Sequence, residues 1–206
     1  MIIIGLTGSI GMGKSTTANV FRKLGIAVHD SDSVVHRLYE GPDAQLIAQA
    51  FPEAVCNGRI DRERLALTVF GDEAARRLLE SIVHPLVTTD REQFIRTREA
   101  MGDKVVVVDI PLLFETSKEG EVDVIVVVDA PETVQKSRVL SRTGMTDRRF
   151  QAILARQTPN AEKAKMAHFV VDTSKGLRFA ERQVGGLLRA LAGQGDGKGG
   201  IARNRS

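Results

Sequence analysis

Three runs of β-branched residues constrain this chain more than any other feature: positions 2–6, 105–108 and 124–128 are continuously apolar rather than alternating. A strand alternates when one of its faces is wet, whereas a continuous run suits a strand covered on both faces, as in a buried parallel sheet. Positions 26–29 and 169–171 are shorter runs of the same kind, and helical patterns separate all five. Strands alternating with helices in this way imply an α/β fold of three layers, a doubly wound parallel five-stranded sheet between helices.

The helical stretches add detail. Leu177, Ala180, Val184, Leu187, Leu188 and Leu191 recur on one stripe and predict a last helix packed on the sheet. Between the second strand and Val105 lie about seventy residues of mainly helical pattern, read as an insertion over about 33–100. Within it, Leu78, Leu79, Ile82 and Val83 are followed by His84-Pro85, which reads as a helix boundary. At 206 residues one domain is expected, over 1–192. From Gly193 five glycines fall within eight residues, a composition too poor in apolar groups to offset its ordering entropy, so 193–206 reads as a disordered tail.

Composition excludes several classes. The formal net charge is +3, and positions 193–206 hold Lys198, Arg203 and Arg205 against Asp196, leaving the body almost neutral with only 4% aromatics. That argues against a nucleic-acid face, which needs a basic surface and stacking rings. Cys56 is the only cysteine, so no disulfide within the chain can form, which fits a reducing compartment such as the cytoplasm. The first residues carry no basic segment, and their apolar run is too short for a signal peptide or a membrane span.

The strongest chemical signal is Gly8-Ser9-Ile10-Gly11-Met12-Gly13-Lys14-Ser15, a G-x-x-x-x-G-K-S loop between an expected strand and an expected helix. Its glycines allow backbone angles that turn N–H groups toward a polyphosphate, and the helix start adds the positive end of its dipole. Nucleotide contacts are therefore expected from Gly8, Gly11, Met12, Gly13, Lys14, Ser15 and Thr16, with Lys14 between the β- and γ-phosphates and the Ser15 hydroxyl on Mg²⁺.

The acceptor side is written at the ends of the other strands, where open α/β sheets place ligands. Asp30 and Asp32 would share one side if the chain stayed extended there, giving one carboxylate to take a substrate proton and one to assist Mg²⁺; helix capping is an equally good reading of either. Asp109 closes the run 105–108 as an aspartate that assists Mg²⁺ does in such enzymes, or else serves a loop. Pro111, Leu112 and Leu113 would wall a substrate pocket or fill the core. Arg138 and Arg142, four apart on an expected helix from about Pro131, would share a face turned to the transferring phosphoryl group or to solvent, with Arg156 a further candidate. His84 has no partner at metal-ligand spacing, and Cys56 lacks the basic neighbours of a nucleophile.

Taken together, several separated segments resemble the dephospho-CoA kinase family from Met1 to about Leu191. They are Gly5-Leu-Thr-Gly-Ser-Ile-Gly-Met-Gly-Lys-Ser-Thr16, Asp30-Ser-Asp-Ser-Val-Val-His36, Gly58-Arg-Ile-Asp-Arg62, His84-Pro-Leu86, Asp109-Ile-Pro-Leu-Leu-Phe-Glu115, Val122-Asp-Val-Ile-Val-Val-Val128, Gln135 with Arg138 and Arg142, Arg156-Gln157 and Phe169-Val-Val-Asp172. The resemblance implies transfer of the ATP γ-phosphoryl group to the ribose 3′-hydroxyl of dephospho-CoA with Mg²⁺, by a monomer with neither nucleic-acid nor membrane partners. It makes Asp32 the general base, places His84 in a helical region that binds the acceptor, and makes about 138–165 a lid that closes over ATP with Arg138 and Arg142. Five positions depart from the family's common pattern: Ser9 stands for glycine, Ser31 for alanine, Thr143 for the aspartate often found after Arg142, His168 for aspartate and Thr173 for asparagine. The last two fall where the family approaches the adenine. The rival readings are a P-loop kinase of another nucleoside or nucleotide and a nucleotide-dependent switch; no N-K-x-D segment for guanine recognition occurs.

Overall fold

The computed structural model describes residues 1–195. In chain order its elements are β1 (Ile2–Thr7), α1 (Lys14–Lys23), β2 (Ala27–Asp30), α2 (Ser31–Leu38), α3 (Ala44–Ala50), β3 (Val55–Cys56), β4 (Arg59–Ile60), α4 (Arg62–Val69) and α5 (Glu73–Ala100). There follow β5 (Val105–Asp109), β6 (Val124–Asp129), α6 (Glu132–Leu140), α7 (Asp147–Leu154), α8 (Asn160–Met166), β7 (Phe169–Asp172) and α9 (Leu177–Gly195). They form two compact units, one of residues 1–29 with the chain from Arg98 onward, the other Asp30–Thr97.

All five apolar runs are strands of one sheet in the order β2-β5-β1-β6-β7. β1 pairs in parallel with β5, Ile2 opposite Val105 and Leu6 opposite Asp109, and with β6; β6 pairs in parallel with β7. Parallel neighbours need crossover connections, which the helices supply. This is the doubly wound α/β fold. The register brings the ends of β1, β5 and β6 together as Thr7, Asp109 and Asp129.

The core explains the continuous runs. Ile4, Leu6, Val107, Val126 and Val128 are buried with Phe21 of α1 and with Ala180, Val184, Leu187 and Leu191 of α9. Each such aliphatic side chain contributes about 1.5–3 kcal/mol when fully removed from water. The stripe on α9 is as expected except at Leu177, the helix's first residue, which is exposed. α9 continues through Gly195, past the boundary expected at 192. The rest of the segment expected as a tail, 196–206, lies outside the described residues.

The helical unit packs around Val34, Leu38, Ile47, Phe51, Ala54, Ile60, Leu65 and Val83. It also holds a hairpin that the sequence reading did not mark, β3 against β4 with Val55 opposite Ile60. Its two-residue turn, Asn57 at φ 50 and Gly58 at φ 75, is the Asn-Gly turn whose twist suits a hairpin. His84-Pro85 does not end a helix: α5 runs for 28 residues with Pro85 inside it. Val83 is buried and Leu79, Ile82, Leu86 and Val87 pack on the same cluster, so burial on both sides of Pro85 outweighs the missing N–H. Among the described residues no helix is long and apolar enough to cross a membrane.

Candidate active site

The glycine-rich loop follows β1 directly and ends at Gly13, which caps α1 with φ 93, a left-handed conformation that L side chains rarely adopt. Space at Gly13 is closed too, because a Cβ there would sit 2.9 Å from Thr173 Oγ1. Three carbonyls of the loop are taken by protein donors. The Gln135 amide donates to Ile10 O at 2.7 Å, the Arg138 guanidinium to Gly11 O at 3.4 Å, and the Thr173 hydroxyl to Met12 O at 2.7 Å. A trans peptide sets its N–H opposite its C=O, so the N–H groups of Gly11 and Gly13 are turned away from those donors. The first-turn N–H groups of α1, Lys14 to Thr16, have no carbonyl to meet within their own helix. Oriented amides, a helix start and the Lys14 ammonium together make an anion cradle.

Asp109 is buried at the end of β5, and its Oδ1 accepts from Lys14 Nζ at 2.5 Å. A carboxylate so enclosed favours a cation beside it. The structure therefore brings Asp109 to the loop and away from the surface. Ser15 and Thr16 are exposed at the start of α1. Met12 differs from expectation: its side chain is in the core and its N–H donates to Ser9 O at 3.1 Å, so it braces the loop from within.

Similarity to known proteins agrees with this geometry. The family model for dephospho-CoA kinase matches residues 2–178. A dephospho-CoA kinase of Mesorhizobium japonicum is 50% identical over 194 residues, 94% of this chain and 98% of that protein. The chain belongs to the dephospho-CoA kinase family. Among solved structures, the Thermus thermophilus protein TT1252 is 35% identical with a TM-score of 0.79, covering 95% of this chain and 98% of that one. The dephospho-CoA kinase from Campylobacter jejuni, 22% identical with a TM-score of 0.64 over 92% and 96%, shares the fold. Dephospho-CoA kinases are ATP-dependent, and their reaction is the final step of coenzyme A biosynthesis.

Set against the family's expected site, several residues fall differently. The chain does not stay extended at Asp30-Ser31-Asp32, because β2 ends at Asp30 and α2 begins at Ser31. Asp30 is the N-cap of α2, accepting from Ser33 N–H at 3.0 Å, while Asp32 is exposed in the first turn. Arg138 and Arg142 do not share a helical face, since α6 ends at Leu140 and Arg142 lies exposed beyond it. Arg138 is half-buried and engaged with the protein: besides Gly11 O it donates to Thr173 Oγ1 at 2.9 Å and Thr173 O at 2.7 Å. Arg156 is exposed just past α7. Leu113 is fully buried and serves the core rather than a pocket wall, while Leu112 is exposed and Pro111 accepts from the Thr7 hydroxyl at 3.2 Å. His84 is exposed on α5 within the helical unit.

Two of the departures from the dephospho-CoA kinase pattern, Thr173 and His168, have local structural work. Thr173 joins Arg138 to the loop, and His168 Nδ1 accepts from Ile125 N–H at 3.0 Å, completing the pairing beside β6. Sequence reasoning missed Thr158, Asn160 and Lys163 entirely and carried Gln135, Gln157 and Glu115 only as part of the resemblance. Glu115 accepts from Thr158 N–H at 2.8 Å and forms an ion pair with fully buried Lys163, also at 2.8 Å. None of these residues sits in a spacing that marks it, because the partners are far apart in the chain.

Proposed function

We propose that this dephospho-CoA kinase family member binds ATP on residues 8–16 and transfers its γ-phosphoryl group to the ribose 3′-hydroxyl of dephospho-CoA, with Asp32 as general base. The observation that carries the reading is the cradle at the start of α1, where Lys14 is held by Asp109 and the N–H groups of Gly11 and Gly13 are turned away from their protein neighbours. The acceptor O3′ bonds to Pγ as the bond from Pγ to the β-bridging oxygen breaks, its electrons passing to ADP and the hydroxyl proton to Asp32. Lys14 stabilises charge on the transferring group. Asp30, engaged as a cap, is the weaker candidate for base, and its capping bond supports the choice of Asp32. Arg142 is assigned to the transferring phosphoryl group from the segment after α6, and Arg138 is a positioning residue acting through the loop.

The oxygen donors present suit Mg²⁺: a hydroxyl at Ser15 and a carboxylate at Asp109, both hard ligands. Among the described residues no three His, Cys, Asp or Glu side chains gather as a metal site, as befits an ion held mainly by phosphates and water. Bound there, Mg²⁺ would neutralise charge on the β- and γ-oxygens.

The helical unit is proposed to hold the acceptor, with His84 and a cleft of about 560 Å³ beside Tyr39, Pro42, Gln45 and Arg59 as candidate contacts. Burial there raises the Tyr39 phenol above its usual pKa, opposed by Arg62. Pro111 and Leu112 remain candidates for the acceptor wall. A cytoplasmic monomer acting on ATP and dephospho-CoA, with no nucleic acid or membrane involved, completes the reading. Its test is ADP release with Mg²⁺-ATP, with and without dephospho-CoA, while CoA is followed by mass. ADP and CoA in equal amounts are expected; ADP without CoA, or only with another nucleoside, overturns the acceptor.

A further inference from the structure

The loop's peptide units are gripped from two sides, and the sides change at Ile10. Gly11 and Gly13 have N–H groups that belong to peptides held through their carbonyls, by Gln135 and Thr173. The two preceding peptides are held through their N–H groups instead. Ser9 N–H donates to Asn160 Oδ1 and Ile10 N–H to Gln157 Oε1, each at 3.0 Å. Ser9 is buried, so without Asn160 its amide would be left without a partner in the interior. The reversal that turns later N–H groups outward is therefore fixed at its start by two carboxamides about 150 residues away.

Those carboxamides are themselves anchored. Asn160 Nδ2 donates to Asp129 Oδ1 at 2.6 Å and to Val128 O at 3.1 Å, at the end of β6. Thr158 N–H and Lys163 Nζ hold Glu115, which follows β5. One short stretch, 157–163, thus ties the loop after β1 to the ends of β5 and β6.

We propose that Gln157 and Asn160 are positioning residues that set the phosphate-binding geometry of the loop from the segment joining α7 to α8. The proposal rests on the reading of residues 8–16 as the ATP site and is independent of the acceptor. Gln157→Met keeps length and removes the acceptor. It should speed amide exchange at Ile10 by about 10-fold and raise KM for ATP by a similar factor, the loss of one hydrogen bond to a half-buried donor. kcat and the exchange of β1 and β6 amides should stay near wild type. Gln157→Glu restores an oxygen at that place and should restore the protection of Ile10.

A through-hydrogen-bond scalar coupling between Ile10 N and the Gln157 carboxamide carbon in the wild-type ADP complex reads the contact without any variant. Wild-type exchange at Ile10 and wild-type KM in Gln157→Met, or absence of that coupling, overturns the proposal. Lys14→Ala serves as control. Full turnover in it sinks the ATP-site reading, whereas lost turnover beside an unaltered Gln157→Met sinks only the positioning role.

Discussion

The sheet unit turns many of its polar groups inward, whereas the helical unit buries the charged Arg91 and keeps most of its charged pairs at the surface. Thr7, Ser9, Thr17, Asp109, Gln135, Lys163 and Thr173 are all buried in the sheet unit, mostly near the ends of β1, β5 and β6. The helical unit buries one apolar cluster and keeps ion pairs such as Arg37 with Asp90 and Arg77 with Glu73 in solvent. Buried polar groups are tolerated only when partnered, and once partnered they hold a geometry that exposed pairs cannot hold. The difference suits the roles proposed above, rigid orientation of phosphates for the first unit and apolar enclosure for the second.

The contrast is broken most severely at Lys14. Lys14→Ala should lower turnover on the order of 10³-fold, by removing the cation that meets the transferring charge. It should also destabilise the fold, because Asp109 stays buried without that ammonium. Adding Asp109→Asn should recover part of the melting temperature and none of the turnover. Recovery of both would mean that the pair is structural alone.

Next in size is Asp32→Asn, expected to reduce kcat by about 10²- to 10³-fold while the Kd for ATP changes less than about twofold. Asp30→Asn keeps a good capping oxygen and should leave kcat within about threefold. The reverse order of the two variants would exchange their roles.

How far the molecule was legible follows the same division. The sheet could be read because continuous β-branched runs have one good use, and the G-K-S loop because its spacing is local. The hairpin at Asn57-Gly58 carried a local signal that was passed over. Gln157, Asn160 and Gln135 had none: each meets the loop across more than a hundred residues, and a carboxamide in a helix or turn looks like surface until its partner is known. At Asp30 and Asp32 the spacing left two readings even, and the structure shows the capping one at Asp30, where the period-two alternative needed an extended chain. At Pro85 local propensity was overridden by packing on both sides.

That override can be measured. Pro85→Ala restores an N–H for the Ser81 carbonyl one turn earlier in α5 and removes a residue that costs about 3 kcal/mol relative to alanine in a helix interior. Proline's restriction of the unfolded chain offsets about 0.4–1 kcal/mol of this. A net gain of about 2 kcal/mol is expected, seen as a higher urea midpoint with KM for ATP unchanged. A lower midpoint would mean that the proline itself shapes α5.

The smallest effects contrast the two units through one carboxylate each. Asp172, at the end of β7, lies below its usual value of 3.8 because the Ser174 hydroxyl, then the Ser174 N–H, donate to it, at 2.6 and 2.8 Å. Glu73, at the start of α5, lies below 4.5 through hydrogen bonds from Arg76 and then Arg77. Both are depressed in the folded state, so each stabilises when ionised, above the unfolded value, and loses that contribution as pH falls through the folded one. Ser174→Ala and Glu73→Gln should therefore each lower the melting temperature slightly at pH 7, and both differences should shrink as pH falls below the unfolded values and close once it passes the lower folded ones. Salt separates them. The partners of Asp172 that matter most are neutral, so the effect of Ser174→Ala should persist at 1 M NaCl, where the screening length is about 3 Å. The exposed pairs of Glu73 should be screened and the effect of Glu73→Gln should disappear. Equal salt sensitivity would show that Lys175, 3.5 Å from the Asp172 carboxylate, matters more to it than the serine does.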